Sequence, residues 1–344
     1  MQHNPINMST VKHTERDVSL DAVCGLFICY MIVNHASQYA HINNDTLFVF
    51  MRRLFFMFMP WFFYKSGMFM KDVSNIKDFV IKDLKKLIVP YILYNLIGEI
   101  VRYIDLFFFE KDYDWQHYIL YSAKIVIHGG APGNLPMWFL LTLFTTRSIS
   151  AICSKYINSK YKQWGIIVVC FIIAFIGNIT YGLIKIPFVI YNTALAIIFY
   201  QVGYLLKNRQ FQKQYIIGAL GIFCGTILFY PSAVDFHYDQ TMWGSWGLYI
   251  ISSIAGCILF NNIFKLQIFQ IPFLVSIGRD SMHYFSIHWI LFNIVWLLKN
   301  FSNTPRPSYY IFWTLCLFAF LALPILTHII NVYNNIKKTK FNCK

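Results

Sequence analysis

Charge is the scarcest property of this sequence. Only 13% of its 344 residues are Asp, Glu, Lys or Arg, whereas 57% are hydrophobic, and the mean hydropathy is +0.50. Soluble globular domains are about one quarter charged. The shortage of charge therefore argues against an ordinary soluble protein, although a chain of this length could form two soluble domains.

Acidic residues are scarcer than basic ones, 15 against 29, so the formal net charge is +14. Such an excess can indicate a nucleic-acid partner. Here, however, the basic residues lie in short clusters between apolar runs, and they do not form one patch interleaved with aromatic side chains. We therefore expect no nucleic acid and expect membrane lipids as the surroundings of the chain.

Patterns typical of a disulfide framework or a metal site are missing as well. Six of the eight cysteines lie inside apolar runs, and none belongs to a C-x-x-C pair. Neither a Ser-His-Asp signature nor an H-E-x-x-H zinc motif occurs. We therefore expect no metal.

Apolar runs of about 20 residues, the length that crosses a membrane as a helix, are abundant. They predict an all-α polytopic membrane protein with about ten transmembrane helices in a single domain over residues 1–344. The first run has no clean cleavage site, so it is predicted to be a retained helix. The predicted spans are residues 18–39, 46–70, 87–109, 136–153, 164–183, 187–206, 215–231, 244–263, 280–298 and 309–333.

The distribution of Lys and Arg predicts the orientation of these spans. If the N-terminus is cytoplasmic, the cytoplasmic segments hold twenty basic residues and the outer segments five. Cytoplasmic loops of membrane proteins carry such an excess. We therefore expect both termini to be cytoplasmic.

Ionisable residues inside spans are candidates for function. In the first span, Asp21, Cys24 and His35 fall within roughly 40° of one another around the helix. His35 lies about 21 Å beyond Asp21, toward the outer face. It could be bonded to a neighbouring carbonyl or to the membrane interface, or it could be a general base for a hydroxyl. Asn34 and Asp21 on this helix favour the second interpretation.

The second and third spans also contain charged residues. Arg52 and Arg53 could extend to the outer headgroups, or one could bind an anionic glycan or a developing oxyanion. Pro60 is expected to kink the second span. Glu99 and Arg102 are three residues apart, and such a pair is more often structural than catalytic.

Three further segments contain polar or charged residues, and the first of them has two possible roles. The basic stretch 77–91 could contact anionic lipids or form a phosphate site for a cytoplasmic cofactor. The loop 128–140 is rich in Gly and Pro but matches no phosphate-binding pattern. In the ninth span, His283 and His288 face different ways, and His288 lies deeper.

Six stretches, in order between about residues 16 and 290, resemble the membrane-bound acyltransferase 3 family. Each motif alone is weak, but six in order are fairly specific. The stretches are LDAVCGLFICYMIVNH, FMFMPWFFYKSGMFMK, KDLKKLIVPYILYNLI, LPMWFLLTLF, ALAIIFYQVGYLLKN and IGRDSMHYFSIHWI.

The resemblance implies an enzyme of the bacterial inner membrane, most often an O-acetyltransferase. Such an enzyme takes acetyl from cytoplasmic acetyl-CoA and delivers it to a hydroxyl of an extracytoplasmic polysaccharide or lipid-linked glycan. By the same resemblance, His35 matches the essential His of the family and Ser66 belongs to its S-G motif. Lys82 and Lys85 match its spaced basic pair, with Lys for the more usual Arg.

One position departs from the family pattern. The family usually has Arg or Lys eleven residues before the His, and here that residue is Cys24. A basic residue elsewhere could substitute, the donor could differ, or the protein could have lost activity. The substitutes considered are Lys85, Lys86 and Arg279.

These observations give two sets of candidate residues around a catalytic His35 assisted by Asp21. Binding of the acyl donor is assigned to Lys82, Lys85, Lys86 and Arg279. The acceptor or cavity set is Asn34, Arg52, Arg53, Ser66, Glu99, Arg102 and His288. The rival interpretation is a transporter or flippase of a glycan or lipid, although related halves typical of transporters are not visible.

Overall fold

The protein is all-helical throughout the part that the computed structural model describes, which is residues 16–71, 73–109, 114–157, 159–179, 187–207, 209–229, 246–302 and 307–342. No strand occurs in these ranges. The α-helices are α1 (Val18–Tyr39), α2 (Thr46–Leu54), α3 (Phe58–Met68), α4 (Ile76–Asp83), α5 (Val89–Phe109), α6 (Trp115–Ile127), α7 (Trp138–Tyr156), α8 (Lys160–Ile179), α9 (Phe188–Leu206), α10 (Lys213–Phe229), α11 (Trp246–Ile263), α12 (Pro272–Arg279), α13 (Ser281–Ser302) and α14 (Ser308–Asn342).

Seven helical segments within these ranges are long and apolar enough to cross a membrane, so the chain is an integral membrane protein. They are Val18–Tyr39, Thr46–Met68, Ile76–Phe109, Leu135–Tyr156, Val189–Leu206, Ser281–Ser302 and Ser308–Tyr333. Three shorter apolar helices, Tyr161–Gly177, Lys213–Phe229 and Gly247–Ile263, coincide with the other predicted spans. Ten crossings therefore remain a prediction.

The second predicted span is interrupted. Helix α2 ends at Leu54 and α3 begins at Phe58. Pro60 lies in the first turn of α3, where its missing N–H costs little. In a continuous helix the proline ring would clash with the carbonyl group of Phe56, four residues earlier. The sequence therefore produces two shorter helices where we expected one kinked helix.

The third span is longer than predicted. Helix α4, a π-helical turn (Leu84–Ile88) and α5 form one apolar helical segment from Ile76 to Phe109. Pro90 cannot donate to the carbonyl of Lys86, and the π turn accommodates that lost bond. The basic stretch thus continues directly into the span.

Helix α1 lies at the centre of the bundle beside α12 and α13. Its N-cap is Asp17, whose carboxylate accepts from the backbone N–H groups of Ser19 and Leu20. A Cβ built on Gly25 would lie 1.9 Å from the carbonyl oxygen of Leu274, and one on Gly278 would lie 1.8 Å from that of Asp21. Reciprocal glycines therefore let α1 and α12 pack backbone to backbone, as small residues do in membrane bundles.

Helices α3 and α9 pack in the same way. A Cβ on Gly67 would meet the carbonyl oxygen of Tyr200 at 1.9 Å, and one on Gly203 would meet that of Tyr64 at 2.1 Å. Large apolar side chains instead point outward from α5, α8, α10 and α14, where they remain exposed. These outward faces are where lipid would contact the protein.

Candidate active site

His35 on α1 and His288 on α13 contact each other. Nδ1 of His35 lies 2.9 Å from Nε2 of His288, and the two rings stack with centroids 5.2 Å apart. His288 is fully buried and His35 is half-buried. The fold thus joins two candidates that the sequence placed in separate spans.

The surroundings of His288 decide the tautomers of both rings. Nδ1 of His288 lies 3.1 Å from the carbonyl oxygen of Tyr284 and 2.9 Å from that of Phe285. Carbonyl oxygens only accept, so Nδ1 of a neutral His288 carries the hydrogen and its Nε2 carries the lone pair. Nδ1 of His35 must therefore donate to His288.

The second nitrogen of His35 is left as an acceptor. Among the described residues, none makes a hydrogen bond with Nε2 of His35. A neutral imidazole nitrogen with an available lone pair is what a general base requires. The pair can therefore accept one proton from a hydroxyl at Nε2 of His35.

Aromatic rings surround the pair. The Trp289 ring lies edge-on to His35 at 5.2 Å between centroids, and the Phe292 ring lies edge-on to His288 at 5.6 Å. One turn beyond His35, Tyr39 donates to Asn293. These side chains limit the access of water to the two imidazoles.

Helices α1 and α13 run parallel, and three pairs of residues from this region lie side by side in the same order. Asp21 lies near Arg279 just before α13 begins, His35 lies beside His288, and Tyr39 lies beside Asn293. Both helices thus point their N-terminal ends to the same side of the bundle. We use this shared direction to place the other candidates.

The loop over residues 130–134 is buried beside the part of α13 that carries His288. Its polar backbone groups bond to side chains of α5 and α13, and its Asn134 side chain donates to the backbone of α13, which is how irregular backbone is tolerated inside a membrane protein. The bonds join Tyr91 to Gly130 O (2.6 Å), Arg102 to Pro132 O, Asn95 to Gly133 N (2.9 Å), Asn293 to Gly133 O (3.2 Å) and Asn134 to Ser286 O (2.8 Å).

Glu99 and Arg102 form a structural pair under this loop. Arg102 Nη1 lies 3.5 Å from Glu99 Oε1, and the guanidinium lies over the Tyr118 ring at 5.3 Å. The Tyr118 hydroxyl donates to Glu99 at 3.1 Å, and burial raises the pKa of that phenol. The pair therefore supports α6 and the loop and makes no contact with His35.

Three further candidates lie near the C-terminal end of α1. Arg52 donates to the backbone carbonyl of Asn43 in the segment that follows α1. Arg53 is half-buried, and so is Asn34, whose backbone carbonyl accepts from Ser37 at 2.7 Å. Arg52 and Asn34 make no hydrogen bond or ion pair with His35 in the described part of the chain.

Asp21 lies at the opposite end of α1 and does not reach His35. Its buried carboxylate accepts from Arg16 Nε at 2.6 Å and from Arg16 Nη2 at 2.9 Å, and Arg279 Nε is 3.8 Å away. The hydrogen bond to Asp21 raises the pKa of Arg16. About 21 Å of helix rise separates Asp21 from His35. The expected assistance to His35 therefore has no direct geometric basis.

Cys24 is buried on the same stripe of α1, and another cation lies close to it. Lys65 Nζ is 3.5 Å from the carbonyl oxygen of Leu20, one turn before Cys24. With Arg16 and Arg279, Lys65 gives this end of α1 three cations. Of these three cations, only Arg279 is among the candidates from the sequence, because Arg16 and Lys65 become neighbours only through packing.

Lys82, Lys85 and Lys86 are exposed on α4 and the π turn. Among the described residues they make no ion pair, and they make no contact with Arg279 that would place them in one site. Exposed lysines of this kind can attract phosphate groups without being pre-organised.

Ser66 belongs to a partly buried polar cluster between α3, α4 and α7. Arg147 donates to Asp83 at 2.5 Å and 3.1 Å and to the Ser66 hydroxyl at 3.3 Å. Asp83 and Arg147 are not candidates from the sequence, because residues 64 positions apart share no local pattern. Ser66 therefore anchors Arg147 and lies outside the His35–His288 contact.

Within the described residues there is no group of three or more His, Cys, Asp or Glu side chains that could hold a metal ion. A family model described as an acyltransferase domain (acyltransferase 3) matches residues 17–329. No curated protein and no solved structure matches the chain significantly.

Proposed function

Because the chain belongs to the acyltransferase 3 family, we propose that it is a membrane O-acyltransferase with His35 as its general base. The proposed donor is cytoplasmic acetyl-CoA. The proposed acceptor is a hydroxyl of an extracytoplasmic polysaccharide or lipid-linked glycan, and the membrane is the bacterial inner membrane. The observation that supports this assignment is the His35–His288 contact, which leaves Nε2 of His35 able to accept a proton.

In the proposed reaction, Nε2 of His35 takes the proton of the acceptor hydroxyl while that oxygen attacks the thioester carbonyl carbon. A carbon–oxygen bond forms and the carbonyl oxygen becomes an oxyanion. When the carbonyl re-forms, the carbon–sulfur bond breaks and the thiolate takes the proton from Nε2 of His35. The products are an ester and a free thiol, and His35 is neutral again.

His288 acts as a positioning residue in this scheme. Its Nδ1–H is held by the carbonyls of Tyr284 and Phe285, so its Nε2 remains an acceptor. When His35 is protonated, its Nδ1–H still points at that acceptor. The contact therefore holds one ring orientation through the whole proton transfer.

The donor is proposed to enter at the N-terminal end of α1. Arg16, Lys65 and Arg279 lie there, and the exposed Lys82, Lys85 and Lys86 surround the same predicted cytoplasmic face. CoA carries phosphates that such a basic face attracts. The role of Asp21 in this scheme is to hold the guanidinium groups of Arg16 and Arg279 together at this end of α1.

The acceptor is proposed to approach from the other end of α1. Asn34, Arg52 and Arg53 lie on that side and offer hydrogen-bond donors for a glycan. Glu99 and Arg102 hold the loop 130–134, which borders the site on the α13 side. These assignments predict acceptor binding without any metal.

The test compares the wild type with His35→Ala in a strain that makes a candidate surface polysaccharide. We expect ester-linked acetate on the polysaccharide to fall by about 10²-fold or more, the range of general base catalysis. His117→Ala is the matched control, because His117 is an exposed histidine on α6. The amount of protein in the membrane is measured for all three.

Equal acetylation by the wild type and His35→Ala would refute the assignment of His35. A flippase would give a different result from an acyltransferase, since it would move the glycan across the membrane with no new ester. Purified protein in vesicles that contain the lipid-linked glycan distinguishes these outcomes, because only an acyltransferase releases free thiol when acetyl-CoA is added.

A further inference from the structure

The ion pair between Asp83 and Arg147 joins the beginning of the third predicted span to α7. Both carboxylate oxygens of Asp83 take part, because Arg147 Nε donates to Oδ2 at 2.5 Å and Nη2 donates to Oδ1 at 3.1 Å. The Asp83 side chain is 5% exposed and that of Arg147 is 23% exposed. Such a two-point contact fixes the orientation of its partners as well as their distance.

Asp83 lies in the middle of a line of residues that contacts α7. Phe79 precedes it by four residues, and the Arg147 guanidinium carbon lies 5.3 Å from the centroid of the Phe79 ring. Leu87 follows it by four residues and is buried, in the π turn that packs against α7. Because residues four apart share one face of a helix, this line sets how the segment is rotated on α7.

Three lysines lie beside this line and are exposed. Lys82 directly precedes Asp83, and Lys85 and Lys86 follow it in the π turn. Side chains on one helical segment move together when the segment turns. The ion pair that fixes the rotation of the segment therefore also fixes the direction in which the three lysines extend.

Stability alone does not account for a charged pair at this place. Replacing a buried ion pair by well-packed apolar side chains is often neutral or stabilising. The π turn that follows Asp83 is an uncommon element, and such turns are frequent at functional sites. Both features occur in the segment that carries the three lysines, which points to a role in positioning them.

We propose that the Asp83–Arg147 ion pair positions the three lysines for the phosphate groups of the acyl-CoA donor. Asp83 and Arg147 are positioning residues in this scheme and do not contact the donor themselves. The inference rests on the proposed function, because it requires a CoA thioester at the basic face. Since His35 is not involved, loss of the pair weakens donor binding and leaves the chemical step intact.

The test measures thiol release from two donors by protein in vesicles that contain the acceptor glycan. Acetyl-CoA carries the nucleotide phosphates, whereas S-acetyl-pantetheine carries the same thioester without them. For Asp83→Asn we expect the KM for acetyl-CoA to rise about ten-fold with kcat within about two-fold, the pattern of lost binding alone. The KM for S-acetyl-pantetheine should equal that of the wild type, because this donor has no phosphate for the lysines.

Further variants guard against effects on folding. Asp83→Glu keeps the charge and should recover part of the KM for acetyl-CoA. The double variant Asp83→Asn with Arg147→Gln removes both charges, so neither is left buried without its partner, and it should show the same rise in KM. Asp105→Asn is the matched control, since Asp105 accepts from Asn300 at 2.9 Å at the other end of the helical segment Ile76–Phe109. Its KM for both donors should equal that of the wild type.

A double-mutant cycle tests whether Asp83 acts through the lysines. The background variant has glutamine in place of Lys82, Lys85 and Lys86. In that background, Asp83→Asn should raise the KM for acetyl-CoA by less than about two-fold further, because the residues through which it acts are gone. A further ten-fold rise would show that Asp83 acts by another route, and the inference would be wrong.

The outcomes separate this inference from the proposed function. An unchanged KM for acetyl-CoA in Asp83→Asn and in the double variant, with the wild type active, would overturn the inference alone. An equal rise in KM for both donors would do the same, because it would indicate a general distortion of the bundle. No thiol release by the wild type, with the protein present in the vesicles, would refute the proposed function and the inference with it.

Discussion

At the scale of single residues, the partner of His35 is another neutral ring. A carboxylate would orient an imidazole equally well, but burying a charge inside a membrane bundle costs several kcal/mol. His288 avoids that cost because its Nδ1–H is bonded to carbonyls of its own helix. A neutral acceptor therefore fixes the tautomer of His35 at low cost in stability.

This arrangement predicts how variants of His288 behave. His288→Ala should lower kcat by on the order of 10²-fold and leave the KM for acetyl-CoA within about two-fold, because only proton transfer is affected. His288→Gln should recover part of kcat, since its amide oxygen can accept from Nδ1 of His35. The measurement is thiol release from acetyl-CoA by protein in vesicles that contain the acceptor glycan.

His283→Ala is the control for this prediction. His283 lies on the same helix and has no contact with His35 among the described residues. If His288→Ala lowered only the yield of folded protein, with kcat of the folded fraction unchanged, His288 would have a structural role alone.

Residue-level reasoning from the sequence succeeded in part. The helical angle placed Asp21, Cys24 and His35 on one face, but a common face does not bring residues about 21 Å apart together. The contact between His35 and His288 depends on how α1 and α13 align, which no local pattern contains. Arg16 and Lys65 were not singled out for the same reason.

At the scale of elements, the packing of α1 against α12 brings cations together at the N-terminal end of α1, where Arg16, Lys65 and Arg279 lie. Gly25 and Gly278 allow backbone contact there, and Arg279 at the end of α12 is thereby held beside Asp21. No helix was predicted between the eighth and ninth spans, where α12 lies. A helix of eight residues is too short to give a clear apolar period.

The close contact predicts that Gly25→Ala destabilises the protein. A Cβ at 1.9 Å from the Leu274 carbonyl oxygen forces the helices apart, and we expect a loss of about 2 kcal/mol or more. The measurement is the thermal midpoint of the protein in detergent, which should fall.

Gly165→Ala on α8 is the matched control. A Cβ there meets nothing within 4 Å, and alanine is the better helix former, so the midpoint should stay or rise slightly. A Gly25→Ala midpoint equal to that of Gly165→Ala would contradict the backbone contact.

At the scale of the whole molecule, the sequence predicted the spans better than the loops. Apolar runs are local, and the seven long helices coincide with seven of the predicted spans. Gly and Pro mark residues 128–140 as a loop, yet Ala131 and Asn134 within it are 0% exposed. Its burial depends on Asn95, Arg102 and Asn293, which come from helices distant in the sequence.

The proposed path of the donor requires that the N-terminal end of α1 faces the cytoplasm. Substitutions at Lys85 and Gln116 test this orientation, because both residues are exposed. In the predicted topology Lys85 precedes the third span and Gln116 follows it, so they lie on opposite sides of the membrane. Each is replaced by cysteine and labelled with a membrane-impermeant maleimide. The parent protein reports the background from native cysteines, which in the described residues are buried or half-buried within helices.

If the termini are cytoplasmic, Gln116→Cys should be labelled in intact cells, because the segment between the third and fourth predicted spans is then outside. Lys85→Cys should be labelled only after the membrane is opened, since the basic α4 side is inside. In that orientation, Arg16, Lys65 and Arg279 face cytoplasmic acetyl-CoA and His35 lies toward the acceptor. The reverse labelling pattern would put these cations outside the cell, and the proposed direction of transfer would then be wrong.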